Sequence, residues 1–207
     1  MNSFETFFLS NDFSWVASRL LPYVLFILIG LFFSLLVVWK FKFKGHVRSL
    51  FLISLPLVTL SLYFSFYPIF QGDFSNEKVV FPRNSSMIEL KENRLIVLSL
   101  PGCPYCLESM ERMRMVKQRH PEITIEYKVC HGDSSAIRWF QNLYGERYKG
   151  KNDFDYSLAS DVKMTSKLAA GLYPTYILTN KSSLKVWSVE QFGMSAIDEV
   201  EEVLSKE

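Results

Sequence analysis

Leu95-Ile96-Val97-Leu98-Ser99-Leu100-Pro101-Gly102-Cys103-Pro104-Tyr105-Cys106 is the stretch on which the reading of this chain turns. Its first six residues form a short apolar run that predicts a buried strand. Pro101-Gly102 turns the chain. Pro104 then falls at the first position of a helix, where its missing N–H costs nothing. That helix is expected over residues 104–119 and closes at His120-Pro121. Cys103 therefore stands at a helix N-terminus, where free N–H groups and the macrodipole favour a thiolate. In this reading Cys103 attacks a partner disulfide and Cys106 resolves the mixed disulfide that forms. The competing reading is a structural disulfide or an inert turn.

Upstream, the chain is not that of a single soluble globule. Residues 20–39 carry no charge, and 20 helical residues reach about 30 Å, the thickness of a bilayer core. Residues 50–70 form a second uncharged stretch, interrupted by Pro56 and Pro68, which membrane helices tolerate better than soluble ones. Residues 1–19 are an N-terminal segment, and residues 20–70 are expected to form a two-helix transmembrane hairpin. A cleaved signal peptide fits poorly, because the leader carries Glu5 and Asp12 against Arg19 and the run ends in Val37-Val38-Trp39-Lys40. Between the stretches lie Lys40, Lys42, Lys44 and Arg48 with no acid. Short basic loops stay on the cytoplasmic side, so both ends of the hairpin should face outward. The expected location is the cytoplasmic (inner) membrane, with the following domain in the periplasm or exterior. The loop can also bind anionic headgroups of the bilayer without changing that topology.

The formal charge of +2 belongs to the loop, since residues 71–207 hold 18 basic against 19 acidic residues. A near-neutral domain offers no nucleic-acid surface.

Residues 71–84, with Gly72, Asp73, Ser75, Asn76 and Pro82, read as a tether, and residues 85–207 as one α/β domain. Expected strands lie at 87–90, 94–100, 123–129, 173–179 and 184–189. Residues 123–129 alternate like a strand with one covered face. Helices are expected at 104–119, 134–144 (capped by Asp133 or Ser134), 164–170 and from about 195, where Asp198 completes an approximate capping box. Residues 145–161 read as a loop with partial structure. This order predicts a mixed sheet with helices on both faces. Chemistry in such sheets gathers at the carboxyl ends of parallel strands, and Cys103 and Cys130 each follow one.

Taken together, these residues resemble the thioredoxin superfamily. The likeness covers about residues 85–207 and rests on three points: the dithiol between strand and helix, Gly171-Leu172-Tyr173-Pro174-Thr175 before a strand, and Phe192-Gly193 before the last helix. The Cys-Pro-Tyr-Cys motif is the one typical of glutaredoxins, but no Gly-Gly-Asp-type glutathione signature follows Pro174. The resemblance implies a thioredoxin-like sheet with a helical insertion between Val129 and Pro174. It also implies a cis peptide at Pro174 and an exchange site in which Tyr173, Pro174, Thr175, Pro104 and Tyr105 meet the substrate chain. A membrane-anchored protein thiol–disulfide oxidoreductase follows, needing no cofactor because the dithiol carries the electrons. Its partners would be protein disulfides or dithiols and a membrane redox partner. Where many thioredoxins bury an acid six residues before the first cysteine, this chain has Val97, so Cys106 needs water or another group for its proton.

Cys130 reads either as a buried small hydrophobe or as a third thiol. Adjacent to His131, it completes a formal Cys₃His set with the dithiol, but neighbouring residues rarely reach one tetrahedral ion, so no metal is assigned. The alternative function is a copper- or metal-handling protein on the same fold. Met110, Met113 and Met115 could serve Cu(I), although their helical spacing suits packing.

Overall fold

The computed structural model describes residues 2–41, 43, 45–82, 93–131, 133–148, 154–159, 162–180 and 183–205. The chain divides into two compact units, Met1–Asp73 and Phe74–Glu207.

The first unit contains α1 (Ser3–Ser10), α2 (Trp15–Phe41) and α3 (His46–Phe66). Both longer helices are long and apolar enough to cross a membrane, with mean hydropathies of 2.7 and 1.8. α2 contains the whole of the first expected span. α3 stops at Phe66, short of the expected residue 70, because Pro68 disfavours helix at the residue before it. α2 and α3 pack closely where Gly30 leaves no side chain, its Cα facing Pro56 and Thr59. Two interhelical hydrogen bonds lock that contact: Ser34 Oγ donates to Phe51 O at 2.7 Å and Thr59 Oγ1 to Phe26 O at 3.0 Å.

One end of the hairpin is a polar knot that sequence reading did not foresee. Asn2 caps α1 by accepting the Glu5 N–H at 2.8 Å, and its amide donates to Tyr63 Oη at 2.9 Å. Buried Glu5 pairs with Arg19, which also donates to Pro68 O at 2.7 Å and to Asp73 at 3.2 Å. Residues 2–5, 19 and 63–73 therefore meet at one end, and the last turn of α2 and the first of α3 lie at the other.

Among the described residues the second unit is a mixed six-stranded sheet, order β1-β6-β5-β2-β3-β4, with four helices. Its strands are β1 (Val79–Pro82), β2 (Arg94–Ser99), β3 (Ile125–Val129), β4 (Asp155–Leu158), β5 (Thr175–Thr179) and β6 (Ser183–Trp187). The helices are α4 (Pro104–Arg119), α5 (Ser135–Tyr148), α6 (Val162–Ala169) and α7 (Met194–Leu204). β2 is the central strand, parallel to β3 and antiparallel to β5, and Leu95 to Leu98 are completely buried. On one face Ile96, Leu98 and Ile177 pack with Ala169 and Leu168 of α6. On the other, Tyr127 meets Ser109 of α4 and Phe140 of α5. Phe192 stacks on Tyr176 at 3.7 Å beside the start of α7. Helices thus cover both faces.

Four segments differ from their sequence-based expectations. Part of the expected tether is a strand: β1 pairs antiparallel with β6, Val79 opposite Val186. Within 145–161, expected as a loop with partial structure, α5 continues to Tyr148 and residues 155–158 form β4, which pairs with β3. β3 is therefore interior, and all five of its residues are buried, including the polar ones expected to face water. Glu126 answers its burial with Arg94 at 3.1 Å, Lys128 at 3.5 Å and the Ser157 hydroxyl. Last, α7 starts at Met194 after Gly193, with no side-chain cap in place of the expected box. The strand expected at 87–90 lies outside the described residues.

Candidate functional site

β2 delivers the chain to the site. Beyond Ser99 the backbone turns through Gly102, whose φ of +78° is a conformation that side chains resist. Cys103 then takes the N-cap position of α4, with Pro104 in the first turn. The Cys103 Sγ accepts the backbone N–H of Cys106 at 3.3 Å, so an amide of the first helical turn points at the sulfur.

The two sulfurs differ in access. Cys103 is half-buried and Cys106 is 0% exposed. Both are thiols, as is Cys130. Burial pushes the Cys106 thiol well up from its usual range. A thiol reachable from outside beside one shut in by the helix can act in sequence, the first capturing a partner and the second releasing it.

Across from Cys103 lies the turn before β5. The Tyr173–Pro174 peptide is cis, as expected, and Tyr173 O accepts from the Cys103 thiol at 3.7 Å. Pro174 is buried, and Thr175 lies under the loop, its hydroxyl donating to Leu172 O at 2.6 Å. Thr175 thus holds the turn from beneath. Pro104 is exposed, Tyr105 is 60% exposed and Leu172 is 42% exposed. Of the expected substrate-facing residues, Pro104 and Tyr105 lie open beside the dithiol, while Tyr173 offers its carbonyl.

Cys130 follows β3, its N–H donating to Ser99 O at 2.9 Å. It is 3% exposed, and burial raises its pKa. Its sulfur donates to Lys128 O at 3.8 Å. Cys130 packs beneath the same loop that faces Cys103. His131 is exposed, its Nδ1 accepting from the Asp133 N–H, and His120 pairs with Glu122 at the far end of α4. Among the described residues no group of three or more His, Cys, Asp or Glu is gathered to hold a metal ion. Met110 and Met113 are core side chains at 1% and 0% exposure.

Sequence reasoning missed the hydroxyls under α4. Ser109 Oγ donates to Cys106 O at 2.7 Å and lies 3.2 Å from Tyr127 Oη, which is left to donate to it. Burial raises the pKa of both Tyr127 and Tyr176, the latter to about 12, so both stay protonated. Ser99 adds a completely buried hydroxyl with no hydrogen-bond partner among the described residues. Comparison of the chain with protein-family models, curated proteins and solved structures found no match in any of the three.

Proposed function

We propose that this protein exchanges thiols and disulfides with protein substrates at the outer face of a membrane, on a thioredoxin-like domain. One observation carries the reading: a half-exposed Cys103 sulfur, held by a helix N–H at 3.3 Å, stands over a fully buried Cys106 three residues on. In the reducing direction the pair starts as a dithiol. Cys103 thiolate attacks one sulfur of a substrate disulfide, forming a Cys103–substrate bond and expelling the other substrate sulfur as thiolate. Cys106 then attacks Cys103, the Cys103–Cys106 bond forms, and the second substrate sulfur leaves. The substrate is reduced by two electrons and the dithiol oxidised by two, and a partner dithiol re-reduces the pair; run in reverse, the pair oxidises a substrate dithiol and a partner oxidant restores its disulfide.

The neighbouring Tyr173 carbonyl and the open Pro104 and Tyr105 support a surface where an extended substrate chain lies beside the sulfur. The membrane placement draws support from α2 and α3 and from the knot that joins residues 2–5 to residues 63–73. Both ends of the hairpin then share one side, and the basic loop puts that side opposite the cytoplasm.

The test is trapping. Full-length Cys106→Ser protein in detergent, mixed with insulin, is expected to hold a covalent adduct at Cys103 that dithiothreitol releases. Wild type is expected to turn insulin over, and Cys103→Ser to do neither. Insulin reduction that survives Cys103→Ser would overturn the assignment.

A further inference from the structure

The N-terminal helix is built inside out. Glu5 and Leu9 are the buried positions of α1, and Asn2 is buried at its cap. Its large aromatic side chains point the other way, with Phe4, Phe7 and, just beyond the helix, Phe13 all exposed. A helix packed on a protein in water does the reverse, burying its apolar stripe and leaving its charge outside.

The polar groups of α1 find their partners within the protein. Inward, the Asn2 N–H donates to Glu5 at 3.2 Å and the Asn2 amide to Tyr63 Oη, while Arg19 joins Glu5, Pro68 O and Asp73. Outward, Thr6 Oγ1 donates to Asn2 O at 3.1 Å and Ser10 Oγ to Phe7 O at 2.8 Å. The exposed face of α1 therefore carries no charge, and these two hydroxyls donate back to their own helix. An apolar surrounding demands such return bonds, because it supplies no acceptor of its own. That face also continues the apolar surface of the longer helices. The Phe4 ring meets Phe26 of α2 at 5.9 Å and Tyr63 of α3 at 6.3 Å, and Leu20, Phe66 and Phe70 are exposed at the same end.

Length and charge fix the depth. Eight helical residues reach about 12 Å, well short of a bilayer core of roughly 30 Å. Asn11 closes the helix, and the exposed carboxylate of Asp12 after it belongs among headgroups, not acyl chains.

We propose that α1 is an interfacial helix, its Phe4, Phe7 and Phe13 side chains seated in lipid at the boundary between headgroups and acyl chains. The proposal rests on the reading of α2 and α3 as membrane spans. The Glu5–Arg19 pair and the Asn2–Tyr63 bond hold α1 against the hairpin with its rings outward. Phe66 and Phe70 complete an aromatic collar at that level.

The test photolabels the wild-type full chain in phosphatidylcholine vesicles. Two phospholipid probes are used, one with a trifluoromethyl-phenyl diazirine on its headgroup and one with it at the acyl-chain end. Arg19 is the first basic residue, so trypsin then releases residues 1–19 as one peptide for mass spectrometry. The exposed Leu28 of α2 reports the bilayer core, and Tyr105, at 60% exposure against 62% for Phe7, reports an aromatic ring in water. The headgroup probe is expected to modify Phe7 at least about tenfold more than Tyr105, and Glu5 far less than Phe7. The chain-end probe is expected to modify Leu28 and to spare residues 1–14. Phe7 labelled no more than Tyr105, with Leu28 labelled, overturns the proposal and leaves the spans standing, since water or a second protein then covers α1. Labelling of residues 1–14 by the chain-end probe overturns it by placing α1 in the core, and Glu5 labelled as strongly as Phe7 overturns it by denying the inward knot. An unlabelled Leu28 overturns the membrane reading and the proposal together.

Discussion

The three thiols differ enough in environment for their reactivities to be ordered. Take the reduced full chain at pH 7.5 and pulse it with N-ethylmaleimide. A free cysteine with a pKa near 8.5 is about one-tenth thiolate there, and each unit of upward shift lowers that fraction tenfold. Cys106 and Cys130 are both shifted up by burial and are 0% and 3% exposed. Reagent reaches them only through opening of the structure, and even then few are ionised. Cys103 is half-buried, and its sulfur accepts a helix amide at 3.3 Å. Cys103 is therefore expected to be modified at least about 10-fold faster than either neighbour from access alone, and the upward shift of both neighbours widens the gap. Peptide mapping by mass spectrometry after timed quenching gives the three rates, and urea should bring them together. Comparable native rates, or Cys106 reacting first, would refute the assigned roles.

Glu199 accepts from Asn76 and Lys185 at 2.7 Å each and from Lys78, which lowers its carboxyl to about 2. A carboxyl held below its unfolded value near 4.5 stabilises the fold fully above pH 4.5, and that stability is lost as pH falls towards 2. Glu199→Gln should cost about 2 kcal/mol at pH 7 and nearly nothing at pH 2, less than the full shift implies because the site is partly solvated. Urea titration followed by Trp187 fluorescence reads this difference, and an equal loss at both pH values would contradict it. Glu126→Ala takes the carboxylate from Lys128 on a covered sheet face and leaves Arg94 with the exposed Asp155 at 3.6 Å, and it is expected to destabilise by about 2–4 kcal/mol, seen as a lower urea midpoint. A β-carbon at Gly30 would meet Thr59 Oγ1 and come within 2.6 Å of Pro56 Cα. Gly30→Val should part α2 from α3 at a cost of about 1–3 kcal/mol, detectable as earlier dodecyl-sulfate unfolding; unchanged unfolding would deny the close packing.

Sequence alone determined the features that depend on neighbouring residues. Two long uncharged stretches, a buried strand, a proline at a helix start and a cysteine just before it follow from periodicity and local backbone preference. Each holds in the structure to within a few residues, because burial and capping act over one or two helical turns. Only tertiary structure decided what distant segments do to one another. Tyr173 meets Cys103 across 70 positions, β1 joins the sheet by pairing with β6, and β4 covers β3 so that Glu126 and Lys128 are buried. The orphan hydroxyl of Ser99 became visible the same way. Strand register and helix docking set these meetings, and their free energy is shared among contacts scattered along the chain, so no single stretch of residues announces them.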